Sequence, residues 1–213
     1  PANGGTPPAA PGTTGRTARV RTIASGSCKR LKEAVMSSNP FFIKWEAGSA
    51  ILGGSGMKFG FIGAGNMGGL LLGTWLQAGA FAATDAIVST RTASKAEALA
   101  RRFPGLEVAS SNAETAGRSD ILFLCIKPMD FREVLKEIAP VLGPEQIVVS
   151  ITSPVSLERL ERALPAKVAK MIPSIVNAGR RGATLLMFGS RLTAEDQAHL
   201  TGLCAAISRP VVI

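Results

Sequence analysis

Gly63, Ala64, Gly65, Asn66, Met67 and Gly68 form a G-x-G-x-x-G turn, and the apolar run Phe59-Gly60-Phe61-Ile62 leads into it. A helix-like segment follows directly. This order of strand, turn and helix is the one in which each glycine has a physical task. Gly63 permits the tight turn, Gly65 lets a pyrophosphate approach the backbone, and Gly68 lets the helix pack close to the strand. Phosphates held there sit on the unpaired N–H groups of the first helical turn, where the helix dipole favours anions. The chemistry implied is dinucleotide binding.

A second group stands at the end of the next expected strand, Ala86 to Thr90. An NAD-selecting site carries Asp or Glu at this point, and the chain has Ser89-Thr90-Arg91-Thr92 instead, with Ser94 and Lys95 just beyond. A carboxylate repels a 2′-phosphate, whereas hydroxyls and a guanidinium bind it. The expected cofactor is therefore NADP, with Arg91 as the main clamp; the bland reading makes Arg91 a solvated loop residue. A third group, Cys125-Ile126-Lys127-Pro128, closes an apolar strand. Pro128 suits a first helical turn. Lys127 either points toward the nicotinamide ribose or is a plain surface cation. Cys125 reads as a small wall residue rather than a nucleophile, since no neighbouring base or helix N-terminus lowers its pKa.

The elements that must position these groups alternate. Strands are expected at Phe59–Ile62, Ala86–Thr90, Leu106–Ala109 and Asp120–Ile126, then at Gln146–Ile151, Lys167–Ile172, Ala183–Phe188 and Pro210–Ile213. DILFLCI at 120–126 is apolar throughout, as a strand buried on both faces of a parallel sheet must be. Helices are expected over about 94–103, from Phe131 until Pro140 stops it, around Leu157, Leu160 and Leu164, and from a capping-box-like Thr193-Ala194-Glu195-Asp196 to about Ile207. The fold expected for 57–213 is α/β, a doubly wound, mainly parallel Rossmann-type sheet.

Composition narrows the class further. The chain has 213 residues, 46% of them hydrophobic, and a net charge of +9. Residues 1–56 carry +5 of this; their first fifteen are rich in Pro, Gly, Thr and Ala, and Met57 stands just before the first strand. We read 1–56 as a disordered or non-native extension. The basic head lacks aromatic interleaving, so no nucleic-acid partner is expected. No apolar run approaches 18 residues, so no membrane span is expected either. Cys28, Cys125 and Cys204 are scattered and His199 is the single histidine, which excludes a Cys/His metal cluster and fits a reducing, cytoplasmic setting. His199 lies on the last amphipathic helix with Glu195 and Leu203 at helical spacing, and reads as a surface residue.

Taken in order, FIGAGNMG, STRT, SDILFLCIKP, IVVSITSPVSLERLE and VAKMIPSIVNAGRRGATLL resemble pyrroline-5-carboxylate reductase across all of 57–213. The resemblance implies hydride transfer from NADPH to 1-pyrroline-5-carboxylate, a cyclic imino acid, giving L-proline. It also implies that Asn112 contacts the adenosine side, that Cys125 to Pro128 line the nicotinamide end, and that Ile151 and Thr152 form its far wall. It assigns no catalytic residue in this stretch. Two departures, Ser174 where the family has Asn and Pro154 where it has Gly, look like those of the divergent late-competence branch. The family's C-terminal helical domain, which makes it a homo-oligomer and closes the substrate pocket, is read as absent from this chain. Alternatives are a β-hydroxyacid dehydrogenase of the 3-hydroxyisobutyrate type, a deazaflavin-dependent NADP reductase, and a non-catalytic NADP-binding regulator.

Overall fold

The structure, a computed structural model, describes Pro1 and residues 56–213 other than Arg181. The reading of 1–56 as an extension thus lies outside the described residues, Pro1 and Gly56 apart. Eight strands form one sheet in the order β3-β2-β1-β4-β5-β6-β7-β8. They are β1 (Phe59–Ile62), β2 (Ala86–Ser89), β3 (Glu107–Val108), β4 (Ile121–Leu124), β5 (Ile147–Ser150), β6 (Lys167–Ile172), β7 (Ala183–Phe188) and β8 (Arg209–Val212). Six α-helices lie between them: α1 (Asn66–Ala78), α2 (Ala93–Arg102), α3 (Asn112–Gly117), α4 (Phe131–Ile138), α5 (Leu157–Ala163) and α6 (Ala194–Ala205).

All strand pairs from β3 to β6 are parallel, β6 and β7 run antiparallel, and β8 returns parallel to β7. The expected doubly wound, mainly parallel sheet is present. Its one reversal is not visible in the sequence, because period-two burial is the same for either direction. Alternation along β4 shows how the layers form. Ile121 and Phe123 join Phe59, Phe61 and Trp75 in a core beneath α1 and α6, while Leu122 and Leu124 face Phe131, Val134 and Ile138 of α4. Aromatic rings fill the first core, with Phe61 stacked on Phe123 at 4.9 Å and Trp75 tilted on Phe123 at 4.8 Å. The Trp75 indole Nε1–H donates to the Leu203 carbonyl at 2.8 Å, fastening α1 to α6.

Expected boundaries hold within one to three residues, and β6 and β7 match the expected spans. The helix α3 was not expected; it is six residues long and Ser111 caps it by accepting from the Glu114 N–H. Thr193 and Asp196 form the anticipated capping box at the start of α6. At the amino ends of the strands, the same Asp196 pairs at 3.1 Å with the half-buried Lys167, which also reaches Glu145 at 3.2 Å. His199 lies there too, beside a cavity of about 430 Å³ lined also by Met57, Asp120 and Lys167. It is at the opposite end of the sheet from the glycine turn.

Burial alone would raise the Asp196 carboxyl, but the Thr193 N–H and hydroxyl and the Lys167 ammonium hold it below its usual value. Asp196 and Glu145 in turn raise Lys167. A carboxylate depressed in the folded chain stabilises it above the unfolded value of about 3.9, and that stability is lost as pH falls through the folded value. A raised lysine stabilises below about 10.4 and loses its contribution as pH rises through its folded value. Urea midpoints measured from pH 7 down to pH 3 should therefore fall, and the fall should be shallower in Asp196→Asn.

Candidate cofactor-binding site

Register sets the site. Ile62 of β1 is level with Ser89 of β2 and with Leu124 of β4, and Leu124 is level with Ser150 of β5. The ladder runs on past the strand ends: Gly63 N–H donates to the Ser89 carbonyl, Cys125 N–H to Ile62, and Ile151 N–H to Leu124. Gly63, Thr90, Cys125 and Ile151 thus emerge side by side at the carboxyl edge, where open α/β sheets bind ligands.

At the centre the glycines behave as their spacing requires. Gly63 has φ +101°, and a Cβ there would lie 2.4 Å from the Cys125 carbonyl oxygen. A Cβ on Gly68 would lie 2.0 Å from the Gly63 oxygen and 2.8 Å from the Cys125 Cβ, so α1 could not approach β1 and β4. A Cβ on Gly65 meets nothing within 4 Å. That open space is the cradle a pyrophosphate needs. Gly65 is also the N-cap of α1, no side chain caps the helix, and its first turn holds no acidic residue. The helix's N–H groups and its partial positive charge therefore face the cradle uncompensated. The residues present fit a dinucleotide phosphate.

The end of β2 departs from expectation in one respect. Ser89 is buried, and its hydroxyl donates to Asn112 Oδ1 at 2.9 Å, so it faces Asn112 rather than solvent. Asn112 is fixed in turn by Glu137 of α4, which accepts from the Asn112 N–H at 3.0 Å and from its Nδ2 at 2.7 Å. Glu137 was not anticipated; its single signal in the sequence is its place on the exposed face of α4. Thr90 is half-buried, and Arg91 is exposed with its guanidinium 3.1 Å from the Asp130 carboxylate. Asp130 was also missed, although it closes the 3₁₀ turn Pro128–Asp130 that begins at the expected proline.

At the other end, Cys125 and Ile126 are half-buried and Lys127 and Pro128 exposed. Burial pushes the Cys125 thiol up to about 12, which suits a wall residue and not a nucleophile. Thr152 is buried; its hydroxyl donates to the Ile126 carbonyl at 2.8 Å and its N–H to Ser150 Oγ at 3.2 Å. The first of these bonds ties the loops after β4 and β5 to one another, and the second is local to the end of β5. The buried Lys170 ammonium donates to the Ser153 carbonyl at 2.8 Å and steadies the second loop from β6. Ser174 starts the 3₁₀ turn Ile175–Gly179, its N–H donating to Asn177 Oδ1 at 2.6 Å. The glycine contacts separate two roles. Gly68→Ala should lose at least about 2 kcal/mol of stability by overpacking, whereas Gly65→Ala should lose less than about 1 kcal/mol; urea denaturation of both variants measures the difference.

Comparison with known proteins places this geometry. Residues 58–154 match the family model for NADP oxidoreductase, coenzyme F420-dependent. ComE operon protein 4 of Bacillus subtilis is 35% identical over 157 residues, 74% of this chain and 58% of that protein. The pyrroline-5-carboxylate reductase of Escherichia coli is 35% identical over 161 residues, 73% of this chain and 58% of its own. The chain thus spans less than two thirds of the length of these relatives. The crystal structure of a Plasmodium falciparum pyrroline carboxylate reductase with NADP bound superposes with a TM-score of 0.66 at 21% identity, over 74% of this chain and 57% of that one. The described region accordingly has a Rossmann-type fold and is similar to an NADP oxidoreductase domain and to the matching part of pyrroline-5-carboxylate reductases and ComE operon protein 4.

Proposed function

We propose that this chain carries the cofactor-binding half of an NADPH-dependent reductase that converts 1-pyrroline-5-carboxylate to L-proline, in the cytoplasm. The observation that supports the reading most is one level edge that joins the open cradle at Gly65 to a second-strand end without a carboxylate and with an exposed Arg91. Bound NADPH supplies a hydride from nicotinamide C4 to the imine carbon. The chain's own part is to hold and orient. The backbone of Gly63 to Gly68 takes the pyrophosphate, with Ala64, Asn66 and Met67 contributing N–H groups and walls. Thr90 and Arg91 take the 2′-phosphate, and Asn112, locked by Ser89 and Glu137, shapes the adenosine side. Cys125, Ile126, Lys127, Pro128, Ile151 and Thr152 line the nicotinamide end, where the Thr152–Ile126 bond fixes the spacing of the two walls.

The imino acid would be enclosed by a helical domain of the kind the family carries, with copies paired through it. Exposed Met129 and Ile175, which follow the carboxyl ends of β4 and β6, support such a cover on this edge. The relatives at 32–35% identity include pyrroline-5-carboxylate reductases, which supports the imine substrate over a deazaflavin. A regulatory role is the second reading, favoured by the equal likeness to ComE operon protein 4.

Calorimetric titration of NADPH and NADH into the chain tests the reading. Micromolar NADPH binding is expected, with NADH at least tenfold weaker, about 1.4 kcal/mol, and Arg91→Gln should erase the difference. Equal affinities would return Arg91 to the solvent, and no binding of either would make the glycine turn structural. NADPH binding without oxidation of NADPH by 1-pyrroline-5-carboxylate, in a chain joined to a helical domain of the family, would favour the regulator.

A further inference from the structure

Arg91 follows β2 and Asp130 follows β4, and these strands lie on either side of β1. A bond between them therefore spans the carboxyl end of β1, where the glycine turn begins. The structure shows that bond, Arg91 Nη1 to Asp130 Oδ1 at 3.1 Å. Its two ends are unequal. The Arg91 side chain is 79% exposed and the Asp130 side chain 19%. The carboxylate is thus the fixed partner, anchored on a turn whose Asp130 N–H donates to the Lys127 carbonyl at 3.0 Å, and the guanidinium is the movable one.

A guanidinium clamps a phosphate best through two parallel N–H bonds, and a carboxylate asks for the same donors. With Nη1 donating to Asp130, fewer of the guanidinium's five N–H groups are left for a 2′-phosphate, and the two anions placed side by side on it repel. A ribose 2′-hydroxyl carries no charge and makes no such demand.

We propose that Asp130 is a specificity-determining residue: it competes with the 2′-phosphate of NADP for Arg91, and so sets how far the domain prefers NADP over NAD. The proposal rests on the NADP-binding reading of Arg91 above. In the free domain the Arg91–Asp130 pair bridges the two lips of the cleft. NADP exchanges Asp130 for its phosphate on Arg91, while NAD leaves the pair closed.

Asp130→Asn keeps the shape and removes the charge. Titrations at one salt concentration, with the full chain, should show NADPH binding tightened about three- to fivefold more than NADH binding, the span open to an exposed ion pair. A direct gain from removing a negative charge is also larger for NADPH, which carries the additional 2′-phosphate, and a background without Arg91 measures it separately. NADH affinity in the same variant also reports that the domain is folded. In an Arg91→Gln background, Asp130→Asn should shift the NADPH-to-NADH ratio by less than it does beside Arg91, because the contested group is gone; an equal shift in both backgrounds would overturn the proposal by assigning the effect to direct repulsion. An unchanged ratio in the single variant, or a ratio shifted toward NADH, would overturn the proposal, the latter by showing that Asp130 presents Arg91 to the phosphate. Absence of NADPH binding in the unaltered chain would instead remove the reading on which it rests.

Discussion

The site depends on one close approach that two glycines make possible. At Gly63, Gly68 and Cys125, a turn, a helix and a strand end meet at distances that no Cβ on either glycine could share. This contact fixes the axis of α1 against β1 and β4, and the position of α1 fixes where its unpaired N–H groups point. The aromatic core then holds the far half of the helix, with Trp75 wedged against Phe61 and Phe123. Packing and ligand geometry are thus one problem: any residue that pushed α1 outward would both open the core and misplace the anion cradle.

The two ends of the sheet handle charge in opposite ways. At the amino ends, Lys167 is enclosed by Glu145 and Asp196, and the Asp120 carboxylate accepts from the Lys58 N–H, so charges there are matched within the fold. At the carboxyl ends, the helix dipole of α1 faces an open space and Arg91 reaches into solvent, held by one exposed ion pair. Internal pairing satisfies the charges at the first end. Incomplete pairing at the second end leaves N–H groups and a guanidinium open to an anion.

Most of the fold was legible because parallel strands and amphipathic helices leave long periodic traces. FGFI, DILFLCI and KVAKMI show their burial residue by residue, and Thr193 with Asp196 announces a helix start. What escaped detection is long-range or short. The six-residue helix α3 is too brief for a period to emerge, and the direction of β7 is set by its connection rather than by its pattern. The register of neighbouring strands carries the turn residues 63–68, 125–128 and 151–152 to one edge, as alternating strands and helices in the sequence imply. Glu137 and Asp130 were not found, since pairs 25 and 39 residues apart in the chain share no local signature. Ser89 shows that residue type does not give direction: in the fold its hydroxyl turns toward Asn112.

The bond from the Trp75 indole to the Leu203 carbonyl joins residues 128 apart in the chain. A ribosome makes the glycine turn and its helix well before the helix that seats Trp75. The phosphate-binding turn therefore acquires its final setting only when nearly the whole domain has left the exit tunnel. Cofactor capture by the growing chain would mark the end of its folding, and a chain cut short before α6 would carry the complete motif without the support that holds it in place.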